Sequence, residues 1–211
     1  AYVTSNGQLS LGGTAPSTVT YTGISTGVGS GICICPFSAD LDRATTTAAT
    51  EIRWVTVGNE IVFQWTQIKR YGAAMAESFD LQVRLNTTTG VVTFVYQLNS
   101  GPYASAVYQP QVGIRTSATD YVNRKVTTAV NWNSSLPGTV NTDICRFDGT
   151  SPATSFTTGL TYTFTPPPAG TPLPPTNPSP VNAAVNVPVN GSITWTFGAN
   201  TVTYDLKLGP T

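Results

Sequence analysis

The stretch "EIRWVTVGNEIVFQWTQI", residues 51–68, alternates apolar and polar side chains on both sides of Gly58-Asn59. Successive side chains of an extended strand point to opposite faces, so this period of two describes half-buried strands and excludes an amphipathic helix. Gly-Asn between two such runs is a favoured two-residue hairpin turn. "SFDLQVRLNTTTGVVTFVYQL" (78–98) repeats the pattern, with Phe79, Leu81, Val83 and Leu85 on one face and a turn through Thr89-Gly90. "YQPQVGIRT" and "GLTYTFTP" read as further strands, and Trp54 and Trp65, at alternating strand positions, are expected in the core. Turn signals recur roughly every ten residues, the spacing of an antiparallel sandwich or barrel. The one helix-like run, "RYGAAMAES" at 70–78, is too short for more than a turn or loop.

Composition agrees with this all-β reading. Only 9% of the 211 residues are charged, against about a quarter in ordinary soluble domains. Thr, Ser, Asn and Gln must supply the surface polarity, as in extracellular β proteins. Ten basic residues balance ten acidic ones, so no net field recruits nucleic acid or an anionic membrane. No apolar run is long enough for a membrane-spanning helix. Ala1 opens the sequence without a charged and then apolar leader, so a secretion signal is expected to have been removed or to lie outside it.

The side chains offer little for catalysis. Histidine is absent, which removes the commonest general base and zinc ligand. No phosphate-cradling glycine loop or dinucleotide fingerprint occurs. Asp40 and Asp42, followed by Arg43, are open to three readings: a salt-bridged turn, calcium ligands, or an acid–base pair. Glu77 and Asp80 read as rim charges near Arg84. A non-catalytic protein is therefore expected, with no cofactor beyond calcium at Asp40 and Asp42. Tyr71, Tyr103, Tyr108 and Tyr121 lie in small-residue segments expected to be loops, and Trp132 sits in the polar "NWNSS"; these are candidate polysaccharide contacts. Asn86, Asn133 and Asn190 match the glycosylation acceptor pattern and are read as ordinary turn residues.

Three cysteines leave one thiol over if a disulfide forms. In the strand "GICICPF", Cys33 and Cys35 share a face, and the expectation is one disulfide from Cys145 to Cys33 or Cys35; three buried thiols are the alternative.

From residue 166 the pattern breaks, and "PPPAGTPLPPTNPSP" holds eight prolines in fifteen residues. Such a stretch is extended and semi-rigid, so a linker is placed at 166–176 between a domain at 1–165 and the beginning of another at 177–211.

The blocks "VTSNGQLSLGG", "ICPFSADLD", "FQWTQIKRYG", "FDLQVRLNTTTGVVTFVY" and "QVGIRT", in that order, resemble a nidogen-like β-sandwich module of large secreted proteins from Bacteroidetes-type bacteria. "SITWTF" and "YDLKLG" resemble the second and third strands of a fibronectin type III or Ig-like domain, with Trp195 as its core tryptophan. The resemblance implies that a strand ordinarily preceding "SNG" is missing and that about three of seven strands follow the linker. The fold class expected is all-β: an antiparallel β-sandwich followed by a partial Ig/fibronectin-like sandwich. The function expected is structural or adhesive, at the cell surface, as a filament subunit that self-associates into a homopolymer by strand complementation. Tyr2, Leu9, Leu11, Ile193, Trp195, Phe197, Tyr204, Leu206 and Leu208 would carry the contact. A monomeric glycan-binding adhesin, or an accessory domain of a larger secreted protein, is the alternative.

Overall fold

A computed structural model describes residues 1–15, 20–29, 31–44, 50–73, 77–100, 107–147, 155–166, 174–181, 183–188 and 190–198. The chain divides into two compact units, Ala1–Thr165 and Pro166–Thr211. The first is a sandwich of two antiparallel sheets. One sheet runs in the order β1 (Tyr2–Thr4), β2 (Gln8–Leu11), β3 (Ile32–Ser38), β9 (Gln111–Arg115), β10 (Tyr121–Lys125) and β11 (Leu136–Pro137). The other runs β12 (Thr161–Phe164), β8 (Val92–Ser100), β7 (Ser78–Asn86), β6 (Glu60–Arg70) and β4 (Leu41–Arg43). β5 (Glu51–Val57) also pairs with β6, on the edge that β4 uses further along.

The β5–β6 hairpin is the one read from residues 51–68. Gly58 adopts φ 58°, which suits the first central residue of a type II′ turn. Phe63, Trp65, Leu81, Val83, Phe94 and Tyr96 alternate into the core as the period of two requires. Then β6 breaks its own rule. Its register slips between Trp65 and Ile68, where Gln67 takes φ 51° and its amide donates to Asp80 Oδ1 at 2.8 Å. One extra residue turns the inward face from odd to even positions, so Ile68 and Arg70 point into the sandwich.

The core centres on aromatic rings. Phe37, Phe79, Tyr96, Trp132, Phe147, Phe156 and Tyr162 pack with centroids 5.0–6.2 Å apart. A second, smaller cluster lies on the other face of β3, where the short α1 (Gly23–Thr26) caps Cys33 and Cys35 with Ile24 and Val28. Gly23 is required there, because a Cβ would come within 2.5 Å of Cys35 Sγ.

This arrangement corrects the cysteine expectation. All three cysteines are buried thiols. Cys33 and Cys35 share a face with Sγ atoms 3.3 Å apart, but they point under α1, whereas Cys145 belongs to the inter-sheet core. The sheet itself separates Cys145 from both.

Lys125 Nζ lies 2.7 Å from Asp143 Oδ1, while the Thr139 and Val140 amides donate to Oδ2 at 2.6 and 3.1 Å. Burial alone would raise the Asp143 pKa, but Lys125 and these amides outweigh it and hold it at about 2. A depressed folded pKa stabilises above the unfolded value, about 3.9, and that contribution fades as pH falls toward 2. Asp143→Asn is therefore expected to flatten the fall in unfolding free energy between pH 4 and pH 2. Denaturant titrations at a series of pH values check this; an unchanged slope would remove Asp143 from the acid response.

In the second unit, β13 (Thr176–Ser179) pairs antiparallel with β14 (Thr194–Thr196). Val181, Val185, Ile193 and Phe197 are exposed and Trp195 is half-buried. Tyr204, Leu206 and Leu208 lie outside the described residues.

Candidate functional site

Two surfaces combine exposed apolar or aromatic groups with a rigid support. The first is the edge of the sandwich where β1 and β5 lie. Trp54 stands opposite Phe63 and Ile52 opposite Trp65, so both are on the core-facing side of their sheet. Yet Trp54 is 67% exposed and Ile52 43%. The reason is the facing sheet. Its last strand, β1, lies across β6, where the Trp65 indole donates to Thr4 O at 2.8 Å. β5 is one strand further out, beyond the last strand of the facing sheet among the described residues of the first unit. On its other face Val55 and Val57 are exposed as well, and every residue of β5 is open to solvent. The outer edges of β1 and β5 pair with no other strand among the described residues. The tight turn makes Val57 and Glu60 a hydrogen-bonded pair, so Ile52, Trp54 and Thr56 direct their amides and carbonyls outward. The expectation of a buried Trp54 is thus corrected. Alternation gave its face, but no described strand of the facing sheet covers that face.

The second surface is a tyrosine cluster around Asp40. The Tyr71 amide donates to the Asp40 carbonyl at 3.0 Å, and Tyr108 Oη donates to the Tyr71 carbonyl at 3.1 Å. Arg70 lies over the Tyr108 ring, 5.5 Å from its centroid. Ser38 Oγ donates to the Tyr21 carbonyl at 3.0 Å and fixes that residue beside Asp40. Desolvation first, and then the Asp40 carboxylate, push the hydroxyls of both Tyr21 and Tyr108 above their ordinary pKa. Tyr71 is 63% exposed and Tyr21 44%.

The other candidates distribute as follows. Asp42 lies 3.9 Å from Lys69 Nζ, and its Oδ1 accepts from the Arg43 amide at 2.8 Å. Among the described residues no group of three or more ligating side chains gathers around Asp40 and Asp42. Trp132 is not a loop aromatic: it is wholly buried at the middle of the ring cluster, and a sugar cannot reach it. Tyr121 is half-buried against the cysteine cluster, and Tyr103 lies outside the described residues. Leu9 is fully buried and Leu11 partly, because β2 is paired on both edges. Only Tyr2 of that terminal group is exposed, so the strand edge on offer belongs to β1. Glu77 is no rim charge either; it is completely buried beside Arg70. Tyr21, in "TYTGIST", has the same small-residue setting as Tyr71 and Tyr108, and that setting is its one mark in the sequence.

Among known proteins, the family described as NIDO related matches residues 1–166. No curated protein and no solved structure matches.

Proposed function

Since the chain belongs to the NIDO-related family, we propose that it is a non-catalytic extracellular structural or adhesive protein whose copies join by strand addition. The observation that carries this reading is the open edge formed by β1 and β5. A strand laid along β1 would extend that sheet over Ile52 and Trp54, and one laid along β5 would take up its outward amides and carbonyls. Burial of a large apolar side chain contributes about 1.5–3 kcal/mol. Ile52 and Trp54 alone therefore offer enough to offset much of the cost of association. Natural sheets blunt such edges with charges, proline or a bulge; β5 has only the paired Glu51 and Arg53 at its start, and no charge, proline or bulge from Trp54 to Val57. The low charge of the chain suits close packing of many copies at a cell surface. A fibronectin type III-like unit after the proline-rich stretch, in a secreted protein of Bacteroidetes type, completes the reading.

The test is sedimentation velocity and electron microscopy of the full chain over a range of concentrations. Elongated, concentration-dependent assemblies are expected. Trp54→Lys is expected to leave the melting temperature nearly unchanged, since the side chain is exposed, and to leave only monomer. A wild-type chain that stays monomeric at every concentration, or a lysine variant that assembles equally well, sinks the proposal.

A further inference from the structure

We infer that Tyr21, Asp40 and Tyr71 form a binding site for a neutral saccharide, independent of how copies of the chain associate. Two exposed tyrosines contact one half-buried aspartate: the Tyr21 hydroxyl donates to its carboxylate and the Tyr71 amide to its carbonyl at 3.0 Å. Aromatic faces receive the apolar C–H side of a pyranose, and a carboxylate accepts from two neighbouring hydroxyls at once. Among the described residues, Asp40 enters no salt bridge, whereas Asp42 lies beside Lys69. Beyond the bond from the Tyr21 hydroxyl, the remaining lone pairs of the Asp40 carboxylate can accept from ligand hydroxyls.

The support beneath the site is stiff. Ser38 Oγ donates to the Tyr21 carbonyl, accepts from the Gly23 amide at 2.9 Å and accepts from Gln8 Nε2 at 2.7 Å, and so ties the segment entering α1 to β2 and β3. The Asp40 carbonyl and the Tyr108 hydroxyl tie down the backbone of Tyr71. Little conformational freedom remains to be lost when a ligand arrives.

Charge selects the class of sugar. A carboxylate repels uronic and sialic acids, and two cations at the end of β6 are committed elsewhere: Arg70 to Glu77, and Lys69 to the Ala73 carbonyl at 2.5 Å. A quaternary ammonium ion would also favour a carboxylate with aromatic rings, but it needs rings that enclose it. Tyr71 and Tyr21 are instead largely open to solvent, and one face of Tyr108 is taken by Arg70.

Affinity electrophoresis of the full chain in gels containing mannan, xylan, galactan or mixed-linkage β-glucan tests the proposal, with polygalacturonate as the acidic control. Retardation is expected in at least one neutral gel and not in polygalacturonate. Tyr71→Ala and Asp40→Asn are each expected to weaken it about tenfold, while Asp42→Asn leaves it unchanged. Both informative variants alter partly or largely exposed side chains, and circular dichroism verifies their folding. No retardation in any neutral gel, retardation by polygalacturonate alone, displacement by millimolar tetramethylammonium, or binding indifferent to both variants would overturn the site. Each of these results leaves the assembly state measured above untouched, so the two proposals fail separately.

Discussion

Glu77→Ala is expected to destabilise the sandwich by about 3–5 kcal/mol, because it strands a guanidinium in the core. Arg70 and Glu77 are 1% and 0% exposed. Arg70 Nε donates to Oε1 at 2.8 Å and to Oε2 at 3.0 Å, Nη2 pairs with Oε2, and the Arg70 amide donates to Oε1 at 3.1 Å. The guanidinium also lies over the Phe147 ring, 5.2 Å from its centroid. Desolvating two charges costs several kcal/mol each, and only this near-complete set of partners offsets it. Removing Glu77 leaves the cost and withdraws the compensation. Replacing both partners with apolar residues of similar volume, Arg70→Met with Glu77→Leu, should return most of the stability. Urea unfolding followed by near-UV circular dichroism measures both. A single variant that loses less than about 1 kcal/mol would mean the pair is not desolvated as the structure has it.

Trp132→Ala is expected to cost a similar amount, about 3–5 kcal/mol, through a cavity rather than a charge. Its ring is stacked on Phe37 and Tyr162, at interplanar angles of 12° and 9°, and meets Tyr96, Phe147 and Phe156 at steeper angles. Its indole donates to Arg146 O at 2.9 Å and its carbonyl accepts from Tyr162 Oη at 2.5 Å. Deleting it empties the centre of the cluster and cuts one tie between segments far apart in sequence. Trp132→Phe keeps much of the packing and loses the indole donor, so a smaller cost, about 1–3 kcal/mol, is expected. Thermal melts would rank the two variants. Equal losses for both would assign the stabilisation to the hydrogen bond and not to the ring. Since small domains have only about 5–15 kcal/mol in total, the alanine variant approaches unfolding.

Both residues depart from the sequence expectation for reasons that lie in chain geometry. Glu77 stands beyond the end of a strand pattern, where a lone carboxylate in a polar chain normally faces water. Its burial depends on the β6 bulge, which turns Arg70 inward and thereby demands a counter-charge. Trp132 sits among Asn and Ser because its short segment is a one-turn 3₁₀ element capped by the Asn131 side chain. Polar neighbours satisfy the turn while the indole inserts, and no periodicity marks such an insertion.

Strand identity, hairpin turns, the antiparallel sandwich and the core face of β7 follow from the sequence by itself. Those properties are local: a period of two and a Gly-Asn turn fix which side chains share a face. What the facing sheet covers is not local. Trp54 and Trp65 have the same alternation, on paired strands, and one is open while the other is sealed because the opposite sheet ends between them. Likewise Tyr21, Asp40 and Tyr71 are scattered along the chain and become neighbours only where the end of β3, β4 and the turn after β6 converge. Tertiary structure alone decided the open edge, the buried ion pair and the tyrosine cluster, since each depends on where one layer stops relative to another.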